Sequence, residues 1–138
     1  MHVIFACIHN AGRSQIASAL FNKLATEGGS NMRALSAGTD PAQTVHEIVA
    51  EVMSEEENID LSAVKPQLLT SELASRAKVL VTMGCGEKCP FVPGLEIIEW
   101  QIPDPKGQAK ARVKEIKKII EKQVSDLYSR LKQLEARG

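Results

Sequence analysis

Val3-Ile4-Phe5-Ala6-Cys7-Ile8-His9-Asn10-Ala11-Gly12-Arg13-Ser14, followed by Gln15 to Ala25, is the stretch whose reading decides the fold. Its first residues form a short β-branched and aromatic run cut off by His9-Asn10, the pattern of a buried strand rather than a helix. Cys7 ends that strand. Beyond Arg13 the apolar spacing turns helical: Ile16, Leu20 and Leu24 share a face, Ala17 and Phe21 flank it, and Gly28-Gly29 stop it. Ser14 stands at the helix start, so the stretch reads as strand, loop, helix.

Five residues, Ile8, His9, Asn10, Ala11 and Gly12, separate Cys7 from Arg13. A loop of that length can converge its backbone N–H groups on one tetrahedral oxyanion while the new helix adds its positive end. Together with Arg13 and Ser14, these residues are the candidate substrate-binding set. The same field favours the thiolate of Cys7 and so a nucleophile. Arg13 offers a planar fork for two oxygens of the anion, which Lys could not reproduce. The Ser14 hydroxyl is placed to hydrogen-bond the Cys7 sulfur, and Asn10 to brace the loop from inside. The bland alternative is an ordinary buried strand cysteine followed by a surface helix start. Arg and Ser at this spacing, across a switch from strand to helix, favour the chemical reading.

Cys7-x5-Arg13-Ser14 with Asn10 between resembles the active-site loop of the low-molecular-weight protein tyrosine phosphatase superfamily. Ser36-Ala37-Gly38-Thr39, Lys65-Pro66, Val81-Thr82-Met83, Cys89-Pro90, and Trp100 ahead of Asp104-Pro105 extend the likeness nearly end to end, toward that superfamily's arsenate reductase branch. His9 stands where the phosphatases usually carry Gly, and Gly12 where they usually carry a second Cys.

At 138 residues the chain suits one domain, 1–138, with one core. Its 43% hydrophobic and 25% charged residues are those of an ordinary soluble globular protein. Lys plus Arg and Asp plus Glu balance at 17 each, so nothing suggests a nucleic-acid or membrane partner. No apolar run reaches membrane-spanning length. The apolar start lacks a basic leader and contains the proposed nucleophile, so it does not read as a signal peptide, and a cytoplasmic location is expected. Three cysteines suit a reducing compartment and thiol chemistry better than a disulfide framework.

Further along, Met32 to Ala37 reads as a second strand. Thr44-x-x-Glu47 has the form of a capping box, with Val45, Ile48, Val49, Val52 and Met53 as the buried stripe of its helix. Glu55-Glu56-Glu57 reads as that helix's exposed end, and His46 as a surface residue in its first turn. Leu68 to Ala77 reads as a short helix capped by Thr70 or Ser71, Lys78 to Met83 as a third strand, Gly84 to Pro90 as a punctuated loop, and Glu96 to Ile102 as a fourth strand. Ala109, Val113, Ile116, Ile120, Val124, Leu127, Leu131 and Leu134 trace one face of a long C-terminal helix. Strands alternating with helices imply a parallel, three-layer α/β sheet with helices on both faces. The resemblance supplies four strands in the order 2-1-3-4. In such sheets chemistry gathers at the strands' carboxyl ends, where Cys7, Cys85 and Asp104 all fall.

Asp104 lies between two prolines that fix its backbone; alone it would read as a turn residue, and the resemblance makes it the general acid that protonates the leaving oxygen. Cys85-x3-Cys89 has three readings: a metal site, which two thiols and scattered histidines do not complete, structural cysteines, or redox partners within disulfide reach in a glycine-punctuated loop. No bound cofactor or metal is expected. The resemblance implies an external thiol reductant, either thioredoxin taking a disulfide from Cys85 and Cys89, or a small thiol such as mycothiol or glutathione. Ser36 to Gln43 and Asp104 to Gln108 contain no aromatic residue to wall a phosphotyrosine, so a small oxyanion fits better. The expected activity is reduction of arsenate to arsenite. A phosphatase working through a cysteinyl-phosphate, and a non-catalytic oxyanion-binding or thiol-regulated interaction protein, are the alternatives.

Overall fold

β1, His2–Cys7, buries Val3 to Cys7 on both of its faces, which places it at the centre of a sheet covered on two sides. The computed structural model describes residues 2–84 and 92–137. In chain order β1 is followed by α1 (Arg13–Glu27), β2 (Arg33–Gly38), α2 (Glu47–Glu57), α3 (Ser71–Ala74), β3 (Val79–Thr82), β4 (Glu96–Glu99) and α4 (Lys110–Arg137). The strands pair in parallel in the order β2-β1-β3-β4, the expected four-stranded sheet. Its register aligns Cys7 with Gly38 and Ala6 with Thr82. The carboxyl ends therefore meet in one place.

Alternate residues of β1 feed two cores. Val3, Phe5 and Cys7 face a large cluster with Ile16 and Phe21 of α1, Val49 and Met53 of α2, and Val113, Ile116 and Ile120 of α4. Ile4 and Ala6 face a smaller one with Ala37, Leu80, Leu69 and Ala74. Phe5 sits between Phe21 and Trp100, with ring centroids 5.9 and 5.7 Å away. Burying a side chain of this size stabilises the fold by about 1.5–3 kcal/mol. At the sheet edge, Glu96 and Glu99 of β4 are exposed, charges that discourage pairing with another chain. Among the described residues no helix is long and apolar enough to cross a membrane.

Several boundaries and surfaces differ from the sequence reading. The capping box over Thr44 to Glu47 does not form. His46 is the N-cap of α2 and offers no side-chain cap; its N–H is instead given to the Ala11 carbonyl at 2.9 Å, tying the helix start to the loop after β1. The short helix shrinks to Ser71–Ala74 because Leu68 pairs with Gly38 as an isolated bridge, while Thr70 caps it by accepting from Leu73 N–H at 3.0 Å. β4 stops at Glu99, opposite Thr82, where its partner β3 ends; Trp100 still donates its N–H to Thr82 O at 2.9 Å. The acidic run is exposed at Glu55 and Glu56, as expected, but Glu57 is half-buried and pairs with Lys23 and Lys117. Leu134 is exposed, so the apolar stripe of α4 runs out one turn early.

Candidate active site

The loop from Cys7 to Gly12 is shaped by what takes its carbonyls. Those of Cys7, Ile8, His9 and Ala11 accept from the N–H groups of Thr39, Asp40, Ala42 and His46 at 3.3, 2.8, 2.9 and 2.9 Å. The carbonyl of Asn10 takes the Gln15 side-chain amide at 2.9 Å, and that of Gly12 takes the Ile16 N–H at 3.0 Å. No peptide bond is cis among the described residues, and in a trans peptide the C=O and the following N–H point in opposite directions. With these six carbonyls drawn away to neighbours, the N–H groups of Ile8, His9, Asn10, Ala11, Gly12 and Arg13 turn to the other side. Donors in that number, at the start of α1, make an anion nest.

Cys7 lies at the floor of the nest, 3% exposed. Its Sγ is 3.0 Å from Ser14 Oγ. Asn10 Nδ2 donates to that same hydroxyl oxygen at 2.8 Å, and Asn10 Oδ1 accepts the Gln67 N–H at 2.9 Å. The Gln67 N–H can only donate, so it fixes which way the Asn10 amide points, and the amide in turn occupies a lone pair of Ser14. The Ser14 hydroxyl proton is left for the sulfur. Asn10 reaches this pose with φ of 50°, a left-handed conformation that asparagine tolerates better than most residues.

The guanidinium of Arg13 is largely buried. Nη1 donates to the Ile102 carbonyl at 3.1 Å and Nη2 lies 3.7 Å from Asp104 Oδ2. The other oxygen of Asp104 accepts the Lys106 N–H at 3.0 Å, so the carboxylate is oriented from its own turn and faces Arg13 with one oxygen. Gly84, at φ +93°, passes so near that a Cβ there would lie 2.9 Å from Arg13 Nη1. Gly38 closes the opposite side: a Cβ would be 2.5 Å from the Ile8 carbonyl oxygen.

Two histidines flank the loop. His9 Nδ1 and the Asp40 carbonyl are 3.0 Å apart, which uses that nitrogen as the donor. His46, half-buried rather than a plain surface residue, is held below the ordinary histidine range by its burial, against the pull of Asp104 in the other direction. The structure thus brings Cys7, Ile8, His9, Asn10, Ala11, Gly12, Arg13, Ser14 and Asp104 together. Cys85 and Cys89 lie outside the described residues. Gln67 is a site neighbour that the sequence reading does not name; it reads His46 as a surface residue, and names Gly38, Gly84 and Pro105 only within motif and loop segments, without a role at the site. A surface groove of about 560 Å³ lies between α1 and α4 toward the far end of α1 and contains none of these groups. An oxyanion needs a shell of donors, not a large groove.

This geometry has relatives. A family model described as low molecular weight phosphotyrosine protein phosphatase matches residues 2–137. A candidate arsenate reductase of Halobacterium salinarum is 35% identical over 126 residues, covering 90% of this chain and 88% of that protein. Among solved structures, a thioredoxin-dependent arsenate reductase of Corynebacterium glutamicum is 36% identical with a TM-score of 0.78; the match covers 96% of this chain but only 62% of that one. An arsenate reductase of Archaeoglobus fulgidus is 29% identical with a TM-score of 0.78, covering 92% of this chain and 98% of that one. The chain belongs to the low molecular weight phosphotyrosine protein phosphatase family, in which it is similar to proteins named as arsenate reductases.

Proposed function

We propose that this protein reduces arsenate to arsenite, with Cys7 as nucleophile, Asp104 as proton donor and an outside thiol system as the source of electrons. The observation that carries the reading is the chain of hydrogen bonds from Gln67 through Asn10 and Ser14 to the Cys7 sulfur, set beneath a nest of N–H groups with Arg13 and Asp104 at its mouth. The likeness to proteins named as arsenate reductases supports the choice of substrate.

In the first step the Cys7 thiolate attacks arsenic(V) and an arsenic–oxygen bond breaks. Asp104 gives its proton to the departing oxygen, which leaves as water. Arg13 and the loop N–H groups meet the crowded anionic charge as it forms. No electrons have changed hands. In the second step another thiolate attacks the Cys7 sulfur, a disulfide forms, and the sulfur–arsenic bond breaks with its electron pair going to arsenic, which departs as arsenite. That thiolate is Cys85, passing the disulfide on to Cys89 and then to thioredoxin, or it is a small thiol such as mycothiol or glutathione. A reducing cytoplasm suits either route.

The same loop could form a cysteinyl-phosphate, which makes a phosphatase the second reading. The absence of Phe, Tyr and Trp from Ser36 to Gln43 and from Asp104 to Gln108 speaks against an aromatic ester, whose phosphotyrosine ring would need aromatic walls. The third reading is oxyanion binding without turnover. Incubation of the protein with arsenate and, in parallel, with p-nitrophenyl phosphate, each with thioredoxin or a small thiol, discriminates the three. Arsenite formation with matching thiol oxidation is expected. In Cys7→Ser that activity should vanish while inorganic phosphate still binds, because a hydroxyl keeps the volume without the thiolate. Substantial arsenite formation by folded Cys7→Ser protein would sink the assignment.

A further inference from the structure

Asp104 and Lys106 are exposed, yet Pro105 between them is buried. The place it occupies is the surface of the anion loop at Gly12. A Cβ built on Gly12 would lie 2.9 Å from Pro105 Cγ, 3.5 Å from its Cδ and 3.4 Å from His46 Cδ2. The first of these distances is shorter than real Cβ contacts allow, and a proline ring cannot swing aside as a long side chain would.

We propose that Gly12 is a positioning residue: its missing side chain is the seat on which the Pro105 ring rests, and the depth of that seat sets how closely the Asp104 carboxylate approaches Arg13 and the bound oxyanion. The arm that carries Asp104 is pinned on both sides of the seat. On one side Ile102 O accepts from Arg13 Nη1 at 3.1 Å, and on the other the Gln108 N–H reaches Pro105 O at 3.1 Å, just ahead of α4. A side chain at position 12 can therefore be accommodated only by lifting Pro105, and its neighbour Asp104 moves with it. The carboxylate stands 3.7 Å from Arg13 Nη2, so a small outward movement ends that contact and withdraws the proton donor. The loop N–H groups face the other way, and the anion nest itself is left intact.

This inference rests on reading Asp104 as the proton donor, but the seat is a matter of geometry and can be judged separately. Gly12→Ala, Pro105→Ala and the double variant are to be compared for arsenate kcat and KM, for inorganic phosphate binding by calorimetry, and by crystallography. In Gly12→Ala, kcat should fall at least about tenfold, with Asp104 moved away from Arg13 by roughly 1 Å, while phosphate affinity stays within about threefold of wild type because the donor shell is untouched. Adding Pro105→Ala removes the atoms the new methyl meets, so the double variant should recover to within about threefold of Pro105→Ala alone, a non-additive pair. Simple additivity, an unmoved Asp104, or wild-type kcat in Gly12→Ala would each overturn the seat. A wild-type protein that makes no arsenite would overturn the proposed function instead, and the Asp104 to Arg13 separation would still decide the seat. Should Gly12→Ala fail to fold, Pro105→Ala carries the test: a kcat lowered about three- to tenfold with phosphate affinity unchanged supports the seat, and full activity overturns it.

Discussion

Arg13 does two things with one planar group: Nη1 holds the Ile102 carbonyl, Nη2 faces Asp104, and Gly84 leaves room for both by carrying no side chain against it. A lysine has one point of charge on a flexible stem and cannot span both partners while also meeting two oxygens of an anion. Arg13→Lys should therefore fold, yet lose about a hundredfold in kcat/KM for arsenate. Steady-state kinetics beside a thermal melt would check this, and near-wild-type turnover would mean that Arg13 does not face the anion. Cys7, Asn10, Arg13 and Ser14 were legible in the sequence because they lie within one strand-to-helix switch, where spacing alone fixes who meets whom. Gln67 was not. It reaches Asn10 across 57 positions, through a backbone N–H that any residue could supply, so its identity carries no signal. His46 was misread for a related reason: its place was inferred from a capping box, whereas a tertiary hydrogen bond to the loop decides where α2 begins.

Helices α1, α2 and α4 are joined by ion pairs that a pattern of apolar residues does not reveal. Lys117, 4% exposed, lies beside Ile116 in the buried stripe of α4 and meets Glu57 and Glu56 of α2, with Glu121 one turn on. Lys23 of α1 joins Glu57 at 3.0 Å. Burial by itself would push the Glu57 carboxyl up, but hydrogen bonds from Lys117 and Lys23 outweigh it and hold the group below its usual 4.5. For Lys117, burial pulls down and the hydrogen bonds with Glu57 and Glu56 win, raising it above 10.5. The signs follow from linkage. A carboxyl lowered in the fold contributes stability above its ordinary range and loses it as pH falls through the folded value. A raised lysine contributes at all pH values below 10.5 and loses its share only in more alkaline solution. Glu57→Gln should thus cost about 2 kcal/mol at pH 7, with a melting temperature lower by roughly 7 °C, and the gap to wild type should close as the pH drops below 4.5. A gap that stays constant down to pH 3 would show that charge plays no part in it. Element order was readable from the change of period along the chain. Ends were not, because Leu68 pairing with Gly38 and β4 ending opposite the last residue of β3 are settled by neighbours distant in sequence.

At the scale of the whole molecule, the parallel sheet gathers one site from segments that lie far apart in the chain: the loop after β1, Gly38 at the end of β2, Gln67, Gly84 after β3 and the arm beyond β4. Of the two proposed routes, the one in which Cys85 resolves the Cys7 adduct carries its own prediction. One arsenate turnover without added reductant should then release stoichiometric arsenite and leave a Cys85–Cys89 disulfide open to thioredoxin. Peptide mapping beside Cys85→Ser and Cys89→Ser checks this: no arsenate-dependent disulfide, with both variants active on a small thiol, would assign resolution to the external route. The outward-turned carbonyls of the loop have a further consequence for synthesis. Every N–H of the nest is present once residues 8–13 have been made, but the groups that turn four of the six carbonyls come from Thr39 to His46, and the one that steadies Arg13 lies 89 positions downstream. A nascent chain leaving the ribosome therefore carries the Cys7 thiol long before it carries the folded loop around it, and a product truncated ahead of Ile102 retains the proposed nucleophile without the groups that shape its surroundings.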